Sequence, residues 1–317
     1  MRVVVTGGAG FIGSNLCRRL AGVDGVEIVV VDDLSTGRRQ NLAGLDVDLR
    51  PVSVLDEDAL RDACAGASSI VHLAALASVP RSVADPRRTH DANATGTLAV
   101  LDSARAVGAH VVVASSSSVY GHNPVLPKSE DMLCMPASPY AVSKLAAESY
   151  ALAYRSCYDL PCTVFRFFNV YGPGQPPDHA YAAVVPAFVA AALRGEPLLV
   201  HGDGEQSRDF TFVDSVTGVL AAAALRRTSA ERPVNLALGT RTTLNALVAL
   251  LGGLLGRCLE VEHRPTRAGD VRHSQASGES LRRLFPDVVA VPIEQGLTRT
   301  ITWMETRMPA PTTPPSP

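Results

Sequence analysis

Residues 2–13 read RVVVTGGAGFIG. Val3–Thr6 has the continuous apolar pattern of a buried strand, and Gly7, Gly10 and Gly13 follow it directly in a GxxGxxG spacing. An apolar-periodic stretch, Ile12–Ala21, comes next and reads as a helix. A glycine triplet between a strand and a helix has a threefold physical use. It permits a tight turn, lets backbone approach a pyrophosphate closely, and lets the helix pack against the strand. The N–H groups that open such a helix aim at phosphates.

Working outward, the same alternation repeats. Apolar runs at Glu27–Val31, Ile70–Leu73, His110–Ala114 and Thr163–Phe167 read as buried strands. The stretches Asp56–Ala63, Thr95–Val107 and Pro139–Tyr158 between them read as helices. Continuous apolar strands alternating with helices predict a parallel sheet covered on both faces. The expected class is α/β, a Rossmann doubly wound parallel sheet with a smaller mixed α/β C-terminal substrate domain. The expected boundaries are 1–170 for the dinucleotide half, with segments near 209–240 returning to it, and 171–305 for the substrate half. The second half carries a Gly/Pro-rich loop at Tyr171–Pro177, a helix near Val184–Leu193, a turn at Gly202–Glu205 and a helix near Thr243–Leu255. The Pro/Thr/Ser-rich end, 309–317, reads as a disordered tail.

Composition narrows the classes. Of 317 residues, 46% are hydrophobic and 19% charged, which fits a soluble globular enzyme. With 29 basic and 31 acidic residues the net charge is −2, so no basic footprint for nucleic acid is present. No apolar run approaches the roughly 18–20 residues of a membrane span, and the N-terminus runs straight into a strand with no secretory pattern. The six scattered cysteines form no CxxC and fit a reducing cytoplasm. No His/Cys/Asp cluster has metal spacing, so no metal is expected.

Asp32 stands 19 residues after Gly13, at the tip of the second strand. A carboxylate there accepts hydrogen bonds from an adenine-ribose diol and repels a 2′-phosphate, which favours NAD over NADP. Arg38 and Arg39 follow and would suit NADP; the position of Asp32 outweighs them. Asp33 reads equally as a cofactor contact or as a solvated loop residue.

The segment Ser138–Glu148, SPYAVSKLAAE, opens with an N-cap serine and a proline in the first turn. Tyr140 and Lys144 then stand at i and i+4 on one helix face. An ammonium beside a phenol lowers its pKa from about 10, which makes Tyr140 a general-base candidate. The strand at His110–Ala114, the fourth in this reading, runs into Ser115, Ser116, Ser117 and Ser118. That places a hydroxyl cluster at the C-terminal strand ends, where open α/β sheets bind ligands.

Taken in order, TGGAGFIG, VVDDLSTG, VHLAA, SSSSVYG, SPYAVSK, RFFNVYGPGQ, GDGEQSRDF and RAGDVRHS resemble the extended short-chain dehydrogenases/reductases, specifically the NAD-dependent epimerase/dehydratase family and its UDP-glucose/UDP-N-acetylglucosamine 4-epimerase type. The resemblance covers the chain to about residue 305. It implies NAD as cofactor and a Ser116–Tyr140–Lys144 catalytic triad. It implies cofactor contacts from Gly7, Gly10, Phe11, Ile12, Gly13, Asp32, Asp33, Ser35, Thr36, Gly37, Ser53, Val54, Asp56, Leu73, Ala74, Ala75, Asn93 and Phe167, besides Tyr140 and Lys144. Relatives often carry an adenine-binding Asp near Ser53, so an altered adenine contact is expected here. On the sugar-nucleotide side the resemblance implies Ser78, Ser116, Ser117, Ser118, Asn169, Val184, Val185 and Val200. Arg208 and Arg267 resemble paired diphosphate clamps, Asp270 a ribose contact, and Ser274 a small gate beside the sugar C2 substituent. A homodimer through the Thr95–Val107 and Tyr140–Tyr158 helices is also implied.

The shared chemistry of that family oxidises sugar C4 while a tyrosine takes the hydroxyl proton. Dehydratases of this type place carboxylates directly after the catalytic hydroxyl; here those positions are Ser117 and Ser118. The expected reaction is therefore 4-epimerisation of a UDP-hexose, UDP-Glc/UDP-Gal and also UDP-GlcNAc/UDP-GalNAc, through a transient 4-keto sugar. The alternatives are a UDP-glucuronate 4-epimerase or a nucleotide-sugar dehydratase and, in another class, a non-catalytic NAD-binding sensor or scaffold.

Overall fold

Val3, Val4 and Val5 are all fully buried, so the first strand has no solvent face. Such a strand needs helices on both sides of its sheet. The computed structural model describes residues 1–177, 183–266 and 272–307. Its strands are β1 (Arg2–Thr6), β2 (Glu27–Val31), β3 (Asp48–Arg50), β4 (Ser69–His72), β5 (His110–Ser116), β6 (Cys162–Phe167), β7 (Val170–Tyr171), β8 (Leu198–His201), β9 (Ser207–Arg208), β10 (Thr211–Phe212), β11 (Val234–Leu236), β12 (Thr242–Thr243) and β13 (Val261–Arg264). Its helices are α1 (Phe11–Leu20), α2 (Glu57–Ala63), α3 (Val79–Ala84), α4 (Pro86–His90), α5 (Gly96–Val107), α6 (Pro139–Tyr158), α7 (Val184–Arg194), α8 (Val213–Arg226), α9 (Leu244–Leu255), α10 (Glu279–Leu284) and α11 (Ile293–Glu305).

The main sheet has seven strands in the order β11-β6-β5-β4-β1-β2-β3, paired in parallel throughout. The order reverses direction between β1 and β4, so the loops leaving those two strands frame a crevice. One sheet face is closed by α1, α8 and α10 through Leu16, Leu20, Val216, Leu220 and Phe285. The other is closed by α2, α5 and α6 through Leu60, Val100, Leu101, Ala151 and Tyr154. A separate apolar cluster joins α7, α9, α11, β8 and β10 through Phe188, Val189, Leu247, Leu251 and Phe212.

Two differences from the sequence reading have clear causes. β3, only three residues long and half-buried, was not expected; DLR is too short and too polar to leave an apolar run. The strand at His110 is therefore the fifth in the chain, not the fourth. The helix expected from Thr95 begins at Gly96, preceded by a π-helical turn over Asp91–Thr95. The end read as a disordered tail, 309–317, lies outside the described residues, as do Arg267 and Asp270. No helix among the described residues is long and apolar enough to cross a membrane.

Candidate active site

A cleft of about 1000 Å³ opens at the C-terminal ends of β1, β2, β4, β5 and β6. Its floor is the glycine turn. A Cβ on Gly13 would stand 2.2 Å from the Gly7 carbonyl oxygen, and one on Gly7 2.7 Å from the Ala74 nitrogen. Any side chain at either position would push the β1 turn away from helix or neighbouring loop. The first turn of α1 has no side-chain cap, so its orphan N–H groups face the cleft as anion donors. A concave, Cβ-free floor at an uncapped helix start fits a dinucleotide pyrophosphate.

Asp32 closes the far wall. Its carboxylate accepts from the Ala9 and Leu34 N–H groups, both at 2.9 Å. Those bonds hold Leu34 in a left-handed conformation, φ 59°. Burial raises the Asp32 pKa, and the two backbone bonds partly offset it. Gly37 leaves room for this carboxylate: a Cβ there would sit 2.8 Å from both of its oxygens. Gly37 itself is buried behind Asp32, outside the cleft lining. Phe11, Ile12, Asp33, Ser35, Thr36, Ser53, Val54, Leu73, Ala74 and Ala75 do line it, together with Gly7, Gly10 and Gly13.

Tyr140 and Lys144 enter from α6. The helix starts where expected because the Ser138 hydroxyl accepts from the Ala141 N–H at 3.2 Å and Pro139 occupies the first turn. The Ser116 hydroxyl, at the end of β5, lies beside the Tyr140 phenol and favours its ionised form. The Ser116 oxygen itself accepts from Ser118 N–H at 3.2 Å and from the Ser118 hydroxyl at 2.9 Å. Its own proton is thereby left to point at the phenol or at a substrate oxygen. Ser118 thus supports Ser116 from outside the cleft lining, while Ser117 lines the cleft.

Lys144 is buried and donates to the Ala114 carbonyl at 2.8 Å. Burial without a carboxylate pulls its pKa down to about 8. Burial raises the Tyr140 phenol, and the neighbouring Ser116 hydroxyl opposes that rise.

A buried polar chain ties the glycine turn to the Tyr/Lys helix. Thr6 Oγ1 lies 2.7 Å from His72 Nδ1, and His72 Nε2 lies 2.9 Å from Thr97 Oγ1, which donates to the Asn93 carbonyl at 2.6 Å. Because the Thr97 proton is committed to Asn93, His72 donates through Nε2 and accepts at Nδ1 as a neutral ring. Burial holds its pKa down at about 3. The Asn93 side chain accepts from Leu76 N–H at 2.8 Å and donates to Ser143 Oγ at 2.9 Å, and Ser143 donates to the Tyr140 carbonyl at 2.8 Å. Asn93 is fully buried behind the cleft wall, where it positions the Leu76 segment and Ser143. Asp56 is likewise a helix cap, accepting from Ala59 N–H at 3.2 Å, and does not line the cleft.

On the sugar side, Ser78, Phe167 and Asn169 line the cleft. Asn169 takes a positive φ of 28°, a strained backbone state for a non-glycine residue. It is held by Nδ2 donating to the Asp209 carbonyl at 3.2 Å and by its own carbonyl accepting from Thr211 N–H at 3.3 Å. Val185 and Val200 are instead packed into the apolar cluster around α7, and Val184, Arg208 and Ser274 are half-buried outside the cleft lining. Arg208 donates to the Ser207 and Arg272 carbonyls, and Ser274 N–H donates to the Ser207 carbonyl at 3.0 Å.

The cleft also uses residues the sequence reading passed over, including Leu55, Ala77, Arg87, Arg88, Asp91 and Ala183. Most come from the segment after β4, and the strand order explains them, since that loop borders the switch point. Ser115, next to Ser116, donates to Glu148 at 2.9 Å. Glu148 binds Arg166 at 2.5 and 3.0 Å, and Arg166 in turn donates to Tyr120 at 2.9 Å.

Comparison with known proteins agrees with this geometry. The chain is 38% identical to the UDP-glucose 4-epimerase of Mycolicibacterium smegmatis, over 95% of this chain and 97% of that one. It is 33% identical to UDP-glucuronic acid decarboxylase 1 of Xenopus tropicalis, over 95% of this chain and 71% of that one. Among solved structures, the UDP-N-acetylglucosamine 4-epimerase of Methanobrevibacter ruminantium M1, in complex with UDP-N-acetylmuramic acid, superposes with a TM-score of 0.92 at 35% identity, covering 97% and 99% of the two chains. The model of the NAD dependent epimerase/dehydratase family matches residues 3–237. The chain belongs to the NAD-dependent epimerase/dehydratase family and is an enzyme that uses NAD.

Proposed function

We propose that this enzyme interconverts the C4 epimers of a UDP-hexose, acting on UDP-Glc/UDP-Gal and on UDP-GlcNAc/UDP-GalNAc. The observation that carries the reading is the hydroxyl pair Ser116 and Tyr140 beside Lys144, with serines and no carboxylate in the two positions after Ser116. The carboxylate that reaches this corner, Glu148, is committed to Arg166. Bound NAD supplies the acceptor and the donor of the hydride. Tyr140 acts in its phenolate form, which the neighbouring Ser116 hydroxyl favours; it takes the C4 hydroxyl proton and returns it, Ser116 donates to the same oxygen, and Lys144 balances charge from the Ala114 side. With serines where a dehydratase would need carboxylates after Ser116, the 4-keto sugar is reduced again in the cleft, and a changed stereocentre is the net result.

Ser274, small and near the Ser207 strand, supports tolerance of an N-acetyl group at C2. Purified protein incubated with UDP-Glc, UDP-GlcNAc, UDP-glucuronate and dTDP-glucose, read by mass and product configuration, tests the reading. Unchanged mass with inverted C4 is expected for the first two. Loss of water would make the enzyme a dehydratase, and loss of CO2 from the uronate a decarboxylase. Ser274→Tyr is expected to lower N-acetyl turnover relative to UDP-Glc turnover.

A homodimer belongs to the same proposal. Val142, Tyr150 and Tyr158 are large apolar side chains left exposed on α6, surface of the kind a second copy would cover. Light scattering is expected to give twice the chain mass, and Tyr150→Glu to shift it toward the monomer.

A further inference from the structure

A second cavity, of about 560 Å³, shares no lining residue with the first. It lies between α1, the Pro173–Gly174 loop, α8 and α11. Four guanidinium groups line it, from Arg18, Arg19, Arg299 and Arg307, against one carboxylate, Asp214. Two of the four are fixed. Arg19 donates to Thr217 Oγ1 at 3.2 Å and to the Asp214 carbonyl at 3.1 Å. Arg299 pairs with the Asp214 carboxylate at 2.6 Å and lies over the Phe212 ring.

The other two are held only loosely. Arg18 makes one 3.3 Å bond to the Asn41 carbonyl, and Arg307 lies 4.9 Å from the Trp303 ring centre. Among the described residues no carboxylate pairs with Arg18 or Arg307. The Asn15 amide spends both N–H groups on the carbonyls of Phe11 and Pro173, and Asn41 spends one on Ala9, so most of the donors left to the cavity are guanidinium N–H groups. Lone surface arginines are solvated and mean little. Here four converge on one concavity that holds a single opposing charge, and the planar fork of each matches a phosphate edge in a bidentate way.

We infer that this cavity is an anion site for the phosphate or polyphosphate group of a small molecule, separate from the dinucleotide cleft. Arg18 and Arg307 bond the anion, while Arg19 and Arg299 set the field around it. The wall loop is fastened to α1 by Asn15, and it follows directly on Asn169 and Val170 of the main cleft.

Trp303 is the only tryptophan in the sequence and lines this cavity, so its emission reports on the site. The full chain is saturated with NAD, which fills the glycine-turn phosphate site, and is titrated with inorganic pyrophosphate and, separately, with ATP. A saturable change in Trp303 emission is expected, weakened about tenfold or more in Arg18→Ala and further in Arg18→Ala/Arg307→Ala. Arg18→Ala leaves the Arg307–Trp303 contact in place and so leaves the probe itself unaltered. Equal affinities for the two probes assign recognition to the phosphates alone; tighter ATP binding places the nucleoside in the cavity as well. A change that KCl reproduces at matched ionic strength, no saturable change with either probe, or an undiminished response in the double variant overturns the site.

Discussion

Two neighbouring turns of α6 treat a buried charge in opposite ways. Glu148 is buried and fully paired: two bonds to Arg166 and one from Ser115 satisfy it. Burial works against the Arg166 charge, but the Glu148 bonds outweigh it and its pKa is raised. Lys144, one turn earlier, is equally buried and has one neutral acceptor, the Ala114 carbonyl. Its pKa falls to about 8. The paired charge locks β5, β6 and α6 together; the unpaired one stays near its titration point and free to exchange a proton. The difference teaches that stability and chemistry are divided between residues four apart on one helix.

The comparison breaks most visibly at its structural end. Glu148→Ala leaves Arg166 buried without its partner, and a loss of about 3–5 kcal/mol in unfolding free energy is expected from denaturant titration. A loss below about 1 kcal/mol would mean that the remaining acceptors, the Tyr120 oxygen at 2.9 Å and the Cys134 Sγ at 3.4 Å, suffice for Arg166. At the chemical end, Lys144→Met is expected to cut turnover about a hundredfold, while thermal stability is kept or raised, because a buried unpaired ammonium is costly. Equal damage to stability would erase the distinction between the two turns.

The pH dependence of stability sharpens it further. The folded pKa of Lys144 lies below its ordinary 10.5, at about 8, so between those values the unfolded chain binds more protons than the folded one. Stability is therefore expected to gain a contribution as pH rises from about 8 towards 10.5. Denaturation midpoints across that window should show this gain in the wild type and lose it in Lys144→Met. The smallest effect belongs to an exposed pair on another helix. Arg61→Ala removes the 3.1 Å contact with Asp58 on α2, and the expected cost is below about 0.5 kcal/mol, measured in the same titration.

How much was legible follows from where information sits along the chain. The glycine turn, Asp32 at its strand tip and the Tyr140/Lys144 pair are local patterns, and all of them border the cleft. Asn93, Asp56, Gly37 and Ser118 lie in equally recognisable stretches, yet they stand behind the wall and hold other groups in place. Val185 and Val200 went into an apolar cluster because α7 and β8 bury those faces against α9 and α11. Nothing in a single segment says which side of a helix a distant element will cover.

The sequence by itself determined the alternation that makes a parallel sheet, the Cβ-free turn that admits a pyrophosphate, and the helix that puts a phenol and an amine on one face. These depend on residues within a few positions of one another. The tertiary structure alone decided that Lys144 meets a carbonyl while Glu148 meets Arg166, that His72 is a neutral link between Thr6 and Thr97, and that four arginines, two on α1, one on α11 and one just past its end, share one cavity. Partners and burial are set by packing between distant segments, and with them the charge each group carries.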